Sequence, residues 1–187
     1  EGFVPTIFER SDRIGGVWGP NERHEHDQST AWPDMRVNIS RHTGTFSDFS
    51  WPKDAHDFPT TQEVYDYLCA YAKHHGLAPY LRLNSKIIHT APEDKKWLVR
   101  WEENKTSIKE EFFDAVIVAT SKFSTPFIPE FKGLEHLKGK MTHSATFRTA
   151  DEFKNKICLT IGGSFSGAGI TELLAAQGIQ VFHLIRK

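Results

Sequence analysis

The sequence predicts an α/β protein in which two Rossmann-like dinucleotide-binding domains follow one another, both incomplete within the 187 residues. Three observations carry that reading. A complete unit of strand, loop, helix and strand closes the chain, with IGGSFSGAG at residues 161–169 as its turn. The chain opens on VPTIFE, residues 4–9, a β-type run that ends on an acid with no glycine loop before it. Between them lie one helix with clear start and stop signals and three strand-like runs.

Taken in order, VPTIFE reads as a strand feeding RSDRIGGVWGP, which turns on Gly15 and Gly16. Residues 20–45 are polar and rich in Pro, His and Asn, and predict extended or irregular chain; the aromatic cluster FSDFSWP follows at 46–52. A helix begins where Thr60 and Glu63 can form a capping box. Its apolar face is Val64, Leu68, Tyr71 and Ala72, and Gly76 suits its end. LRLNSKIIH, KKWLVRWEE and SIKEEFFDAVIVAT then read as strands. The last ends in an apolar block, 115–119, which suits a strand buried in a parallel sheet. STPFIP is a proline-bracketed connector leading to FKGLEHLKGKMTHSATFR. The closing unit places strands at 157–161 and 180–185, a helix at 167–177 and a stop at Gly178.

A hydrophobic share of 39%, 25% charged residues and a net charge of -1 describe a soluble globular chain with no basic surplus, which argues against a nucleic-acid partner. Cys69 and Cys158 are far apart, so neither a CxxC pair nor a disulfide framework is visible, and a reducing compartment fits. No apolar run approaches the roughly 18 residues of a membrane span, and the first residues lack the features of a signal peptide. The expected location is cytoplasmic. RHEHD, 23–27, places His24 and His26 two apart, but no third ligand stands at a recognisable spacing, so no metal is expected. His74 and His75 suit the negative end of a helix dipole.

A dinucleotide turn needs small residues so that the chain can turn tightly, approach a pyrophosphate closely and pack helix on strand. Gly162, Ser164 and Gly167 occupy those three positions, with Ser164 in place of the middle glycine. The phosphate would meet free N–H groups at the helix start. At the end of the following strand a carboxylate reads a free ribose, whereas an arginine pairs with a 2′-phosphate; FHLIRK places Arg186 there, which favours NADPH over NADH. A solvated basic strand end would carry the same residue. By the same logic Glu9 is a free-ribose reader whose own first strand and glycine loop would precede residue 1.

Phe8, Glu9, Arg10 and Ser11, then Gly15, Gly16, Val17 and Trp18, followed by a glycine unit with a basic strand end, resemble the flavin-containing monooxygenases, with the Baeyer-Villiger enzymes as a related branch. The resemblance extends over essentially the whole chain. It implies that Glu9 takes the adenosine ribose of FAD and that Gly16 and Trp18 lie at the flavin. Asn38, in RVNIS before FSDFSWP, would help hold the oxygenated flavin and the nicotinamide. Ile87 matches a position whose backbone contacts the adenine. LKGKMTHSATF supplies Leu137, Gly139, His143 and Phe147 for the family's identifying pattern, with Leu137 in place of Phe. His143 is then a positional residue between domains. Phe147-Arg148, where Baeyer-Villiger members tend to continue with Trp-Pro, leans towards the branch that oxygenates nitrogen or sulfur. Ala119-Thr120-Ser121 replaces Ala-Thr-Gly as a link between domains.

On this resemblance residues 1–150 are a partial FAD-binding domain with a linker, and 151–187 begin an NADPH-binding domain. The resemblance implies that NADPH would reduce FAD, O2 would add as a C4a-hydroperoxide, and a small-molecule nucleophile, an amine or sulfide, would take the distal oxygen. Such chemistry explains why no Ser-His-Asp set or metal cluster can be assembled from the sequence. The 187 residues alone are expected to bind FAD poorly and to turn over nothing. A Baeyer-Villiger relative and a non-enzymatic binding module are the alternatives, whereas a disulfide reductase lacks its cysteine pair. A homo-oligomer stays open, and no membrane association is visible in this segment.

Overall fold

The computed structural model describes residues 2–19, 30–121 and 125–186. Ile7–Phe8 (β1) runs parallel to Leu81–Arg82 (β2), and the pairing continues beyond them, Ser85 N–H donating to Glu9 O at 2.9 Å and Asn84 N–H to Ser11 O at 2.8 Å. The strand expected over residues 4–9 is thus two residues long. Pro5 has no N–H for a ladder, and Val4 is exposed.

Ser85–Glu93 (β3), Lys96–Glu103 (β4) and Ser107–Phe113 (β5) form an antiparallel meander in that order. Asn104 and Lys105 both adopt positive φ, the mirror-image turn that matches the twist of a tight hairpin. Buried Trp101 lies opposite Ile87 on β3, and its ring meets Phe8 at 4.9 Å. Phe113 packs on Phe8 from β5. These aromatic contacts seat the end of β1, and with it Glu9, against the meander.

The expected helix is Thr61–His74 (α1). Its capping box is complete: Thr60 Oγ1 accepts from Glu63 N–H, and Glu63 Oε2 accepts from Thr60 N–H at 2.7 Å. Gly76, at φ +61, ends it. Val64 is buried as expected, together with Tyr67, around which the aromatic cluster folds. Trp51 stacks on the Tyr67 ring at 4.0 Å and Phe46 at 5.7 Å. The Tyr67 hydroxyl accepts from Phe46 N–H and donates to Phe49 O, so the loop's backbone is tied to the helix as well. His75 does more than face the helix dipole, since its Nε2 pairs with Asp48 at 3.3 Å.

Ile157–Ile161 (β6), Phe165–Ala176 (α2) and Gln180–Leu184 (β7) make the expected closing unit, with β6 and β7 parallel. The helix starts two residues earlier than residue 167, because extended Ser164 already serves as its N-cap, and β7 ends one residue before 185. Gly178, at φ +72, stops the helix. Cys158 and Val181 share a face and pack on a core of Trp32, Phe147, Ala150, Ile170, Leu174 and Ile179. Trp32 meets Phe147 edge-on at 5.7 Å and lies against Gly169, where an added Cβ would be 3.3 Å from its Cζ2.

The apolar block at 115–119 departs from expectation. It forms no strand, and Ile117 is 89% exposed. An apolar run becomes a buried parallel strand only when strands flank it, and among the described residues none pairs with it.

Candidate functional site

The glycine turn between β6 and α2 is tight, as its small residues predict. Gly162 adopts φ +119, its N–H donates to Leu184 O at 3.0 Å, and its carbonyl accepts from His183 Nε2 at 2.7 Å. Gly167 packs so closely that a Cβ there would overlap Gly162 O; one at Gly163 would lie 2.7 Å from Ile185 Cγ2. Ser164 makes no side-chain capping bond, and the first backbone bond into the helix is Ala168 N–H to Ser164 O. The N–H groups of Phe165, Ser166 and Gly167 therefore have no partner among the described residues. Arg186 is exposed two residues beyond β7, its guanidinium without a partner among the described residues.

At the other strand end, Glu9 is half-buried and its Oε1 accepts from Ser11 N–H at 2.8 Å, leaving Oε2 without a partner among the described residues. Gly15, at φ +108, presses on Tyr65 of α1, whose Cδ2 would stand 2.7 Å from an added Cβ. At Gly16, φ +53, an added Cβ would meet nothing within 4 Å among the described residues. A short turn, Gly16–Trp18, then closes with Trp18 N–H donating to Gly15 O. Burial and then a hydrogen bond to Cys69 push the Tyr65 phenol up, against a smaller downward pull from Arg13. Ile87 is partly exposed on β3, next to a bulge at Ile88.

Asn38 lies in a bend between two anchors, Val37 N–H on Pro59 O and Arg41 N–H on Asp57 O. Its side chain is exposed and has no partner among the described residues. The anchoring segment is itself clasped: Glu63 Oε1 accepts from His56 N–H at 3.0 Å and meets His56 Nδ1 at 2.9 Å. Burial alone would raise the Glu63 pKa, but the hydrogen bonds from Thr60 and His56 outweigh it and lower it from 4.5 to about 2.

His143 caps the turn Ser144–Thr146, its Nδ1 accepting from Ala145 N–H at 3.1 Å, so a neutral ring carries its proton on Nε2. Phe147 is buried, whereas Leu137 is 52% exposed. Ser121 adopts φ +62, the left-handed conformation that a glycine takes more readily. The RHEHD segment lies outside the described residues.

Glu9, Gly16, Trp18 and Ile87 thus gather around β1, α1 and the meander, and Gly162, Ser164, Gly167 and Arg186 around β6, α2 and β7. Trp32 joins the two parts: Ala31 N–H reaches Val17 O at 3.4 Å, while the Trp32 ring enters the α2 core. Sequence reasoning missed Trp32, Tyr65 and His183. Only His183 left a signal, as a polar residue at a helix-facing position of the alternating strand QVFHL.

A short strand followed by Glu9, and further along the chain a strand, glycine turn, helix and strand followed by Arg186, are the features to be placed in a class. The chain belongs to the flavin-binding monooxygenase-like family, whose model matches residues 1–187. It is 31% identical over 188 residues to dimethylaniline monooxygenase [N-oxide-forming] 4 of Rattus norvegicus, covering 97% of this chain and 34% of the relative. Identity to flavin-containing monooxygenase FMO GS-OX5 of Arabidopsis thaliana is 28%, over 91% of this chain and 41% of the relative. The chain therefore spans about a third to two-fifths of these relatives' length. Among solved structures, S-allyl-L-cysteine S-oxygenase from Allium sativum superposes with a TM-score of 0.86 at 27% identity, covering 98% of this chain and 45% of that one. Tmm from Pelagibacter sp. strain HTCC7211 gives 0.89 at 25% identity, over 97% and 44%.

Proposed function

We propose that this chain is the cofactor-holding part of a flavin-dependent monooxygenase that uses NADPH and O2 to oxygenate an amine or a sulfide. The observation that carries the reading is the turn before α2, where Gly167 seats the helix on Gly162 and leaves three N–H groups open. Both dinucleotides fit the residues present. Open N–H groups and an unpartnered arginine suit a pyrophosphate and a 2′-phosphate, while the free oxygen of Glu9 and the open face of Gly16 suit the ribose and isoalloxazine parts of FAD.

In this reading residues 1–150 hold FAD and 151–187 begin the NADPH domain. Bound FAD supplies the redox chemistry that lets O2 deliver one oxygen atom to the substrate. The chain's residues bind and orient. Glu9 accepts from ribose hydroxyls, the α2 N–H groups and Arg186 hold the NADPH phosphates, and Ile87 lends backbone contact to the adenine. Trp18 and Gly16 shape the flavin face, and the Asn38 amide offers a hydrogen bond to the reacting oxygen and the nicotinamide. His143 acts by position.

The relatives named for N-oxide and S-oxygenation, together with Phe147-Arg148 in place of Trp-Pro, support the nitrogen and sulfur branch. The test is to purify the whole protein, record its flavin spectrum, and measure NADPH consumption and product with an amine, a sulfide and a ketone. N-oxide or S-oxide formation supports the proposal. Ester from the ketone alone would move the protein to the Baeyer-Villiger branch, and a folded protein without flavin would make it a binding module.

A further inference from the structure

We propose that His183 is a positioning residue of the nucleotide turn, locking the peptide between Gly162 and Gly163 so that the open helix N–H groups keep one orientation. This rests on the reading of that turn as the NADPH pyrophosphate site. His183 sits on β7 opposite Thr160 of β6, on the face that α2 covers. Its Nε2 lies 2.7 Å from Gly162 O. A carbonyl only accepts, so the imidazole must donate from Nε2.

The bond matters because of where Gly162 stands. Its N–H is already held by Leu184 O at 3.0 Å, whereas the following peptide belongs to two glycines, and Gly162 adopts φ +119, where rotation meets little steric resistance. A planar trans peptide carries its C=O and N–H in opposite directions. Holding Gly162 O towards the ring therefore sends the Gly163 N–H away from it. The same carbonyl is the atom that a Cβ on Gly167 would overlap, and that Cβ would come within 3.5 Å of His183 Nε2. Ring, carbonyl and helix start form one contact set, so freeing the carbonyl loosens the seat of α2. Affinity for the dinucleotide then falls through lost preorganisation.

The test measures NADP+ affinity by calorimetric titration of the flavin-loaded whole protein, with its flavin spectrum and melting temperature as controls. His183→Leu, which removes the donor, should bind NADP+ about five- to tenfold more weakly, as loss of one hydrogen bond implies, with the flavin spectrum unchanged. His183→Gln, whose amide N–H reaches about as far as Nε2, should stay within about twofold of wild type, and the shorter His183→Asn should resemble Leu. The Gln and Asn pair decides the matter if the Leu variant fails to fold. Wild-type affinity in Leu and Asn, or equal weakening in all three, overturns the proposal while leaving the NADPH reading intact. A wild-type protein that binds no NADP+ overturns both.

Discussion

A methyl group on the α carbon of Gly167 would overlap the carbonyl oxygen of Gly162, so the first turn of α2 and the residue that follows β6 touch backbone to backbone. No rotamer can relieve such a contact. Gly167→Ala must push helix and strand apart, at a cost of about 1–3 kcal/mol of stability and more than about tenfold in NADP+ affinity. Thermal melting and NADP+ titration of the whole protein check both numbers, and unchanged binding would remove the turn from the proposed NADPH site.

Gly15 makes a comparable approach to a side chain. Alanine there meets the Tyr65 ring and is strained at φ +108, whereas one at Gly16 would meet nothing within 4 Å among the described residues. Gly15→Ala is expected to lose about 1–3 kcal/mol and to lower the flavin content of purified protein. Absorbance per mole of protein gives the content. Full flavin at unchanged stability would show that the loop accommodates the methyl group elsewhere.

Arg186 is exposed and unpartnered among the described residues, so replacing it should leave stability within about 0.5 kcal/mol. In the proposed complex it pairs with the 2′-phosphate. Arg186→Gln is expected to reduce the preference for NADPH over NADH by about ten- to a hundredfold, the worth of a charge-assisted bond of about 1.5–3 kcal/mol. The ratio of kcat/KM for the two reductants measures it.

Asn38 is equally free of structural duty, being exposed and without a partner among the described residues. Asn38→Ala should fold and bind flavin as the wild type does, yet form oxygenated product about 100-fold more slowly, as loss of one preorganised donor implies. Product formed per NADPH oxidised is the readout. An unchanged ratio and rate would assign Asn38 to the loop alone.

Glu63 supports the fold in a pH-dependent way. Burial works against its charge, but the Thr60 and His56 hydrogen bonds hold its pKa at about 2 rather than 4.5. A depressed carboxyl stabilises the fold above its unfolded value, and the contribution fades as pH falls from 4.5 to about 2. Glu63→Gln should cost about 1 kcal/mol at pH 7, with the gap to wild type closing across that window. Denaturant titrations at several pH values test the sign.

What the sequence alone determined is what near neighbours in the chain decide. Thr60 and Glu63 are three residues apart, so their capping box was readable before any fold. Gly162, Ser164 and Gly167 turn a strand into a helix within six residues, and QVFHL alternates as a strand must. Glu9 and Arg186 were expected at strand ends, and they stand one residue beyond Ile7–Phe8 and two beyond Gln180–Leu184. Tertiary structure alone decided which apolar surface is covered. Trp32 gains its place only where it meets Phe147 and Gly169, far along the chain, and Tyr65 only where α1 meets Gly15. Residues 115–119 read as core, yet Ile117 and Val118 are exposed, since among the described residues no strand pairs with the run and apolar residues cannot supply their own neighbours.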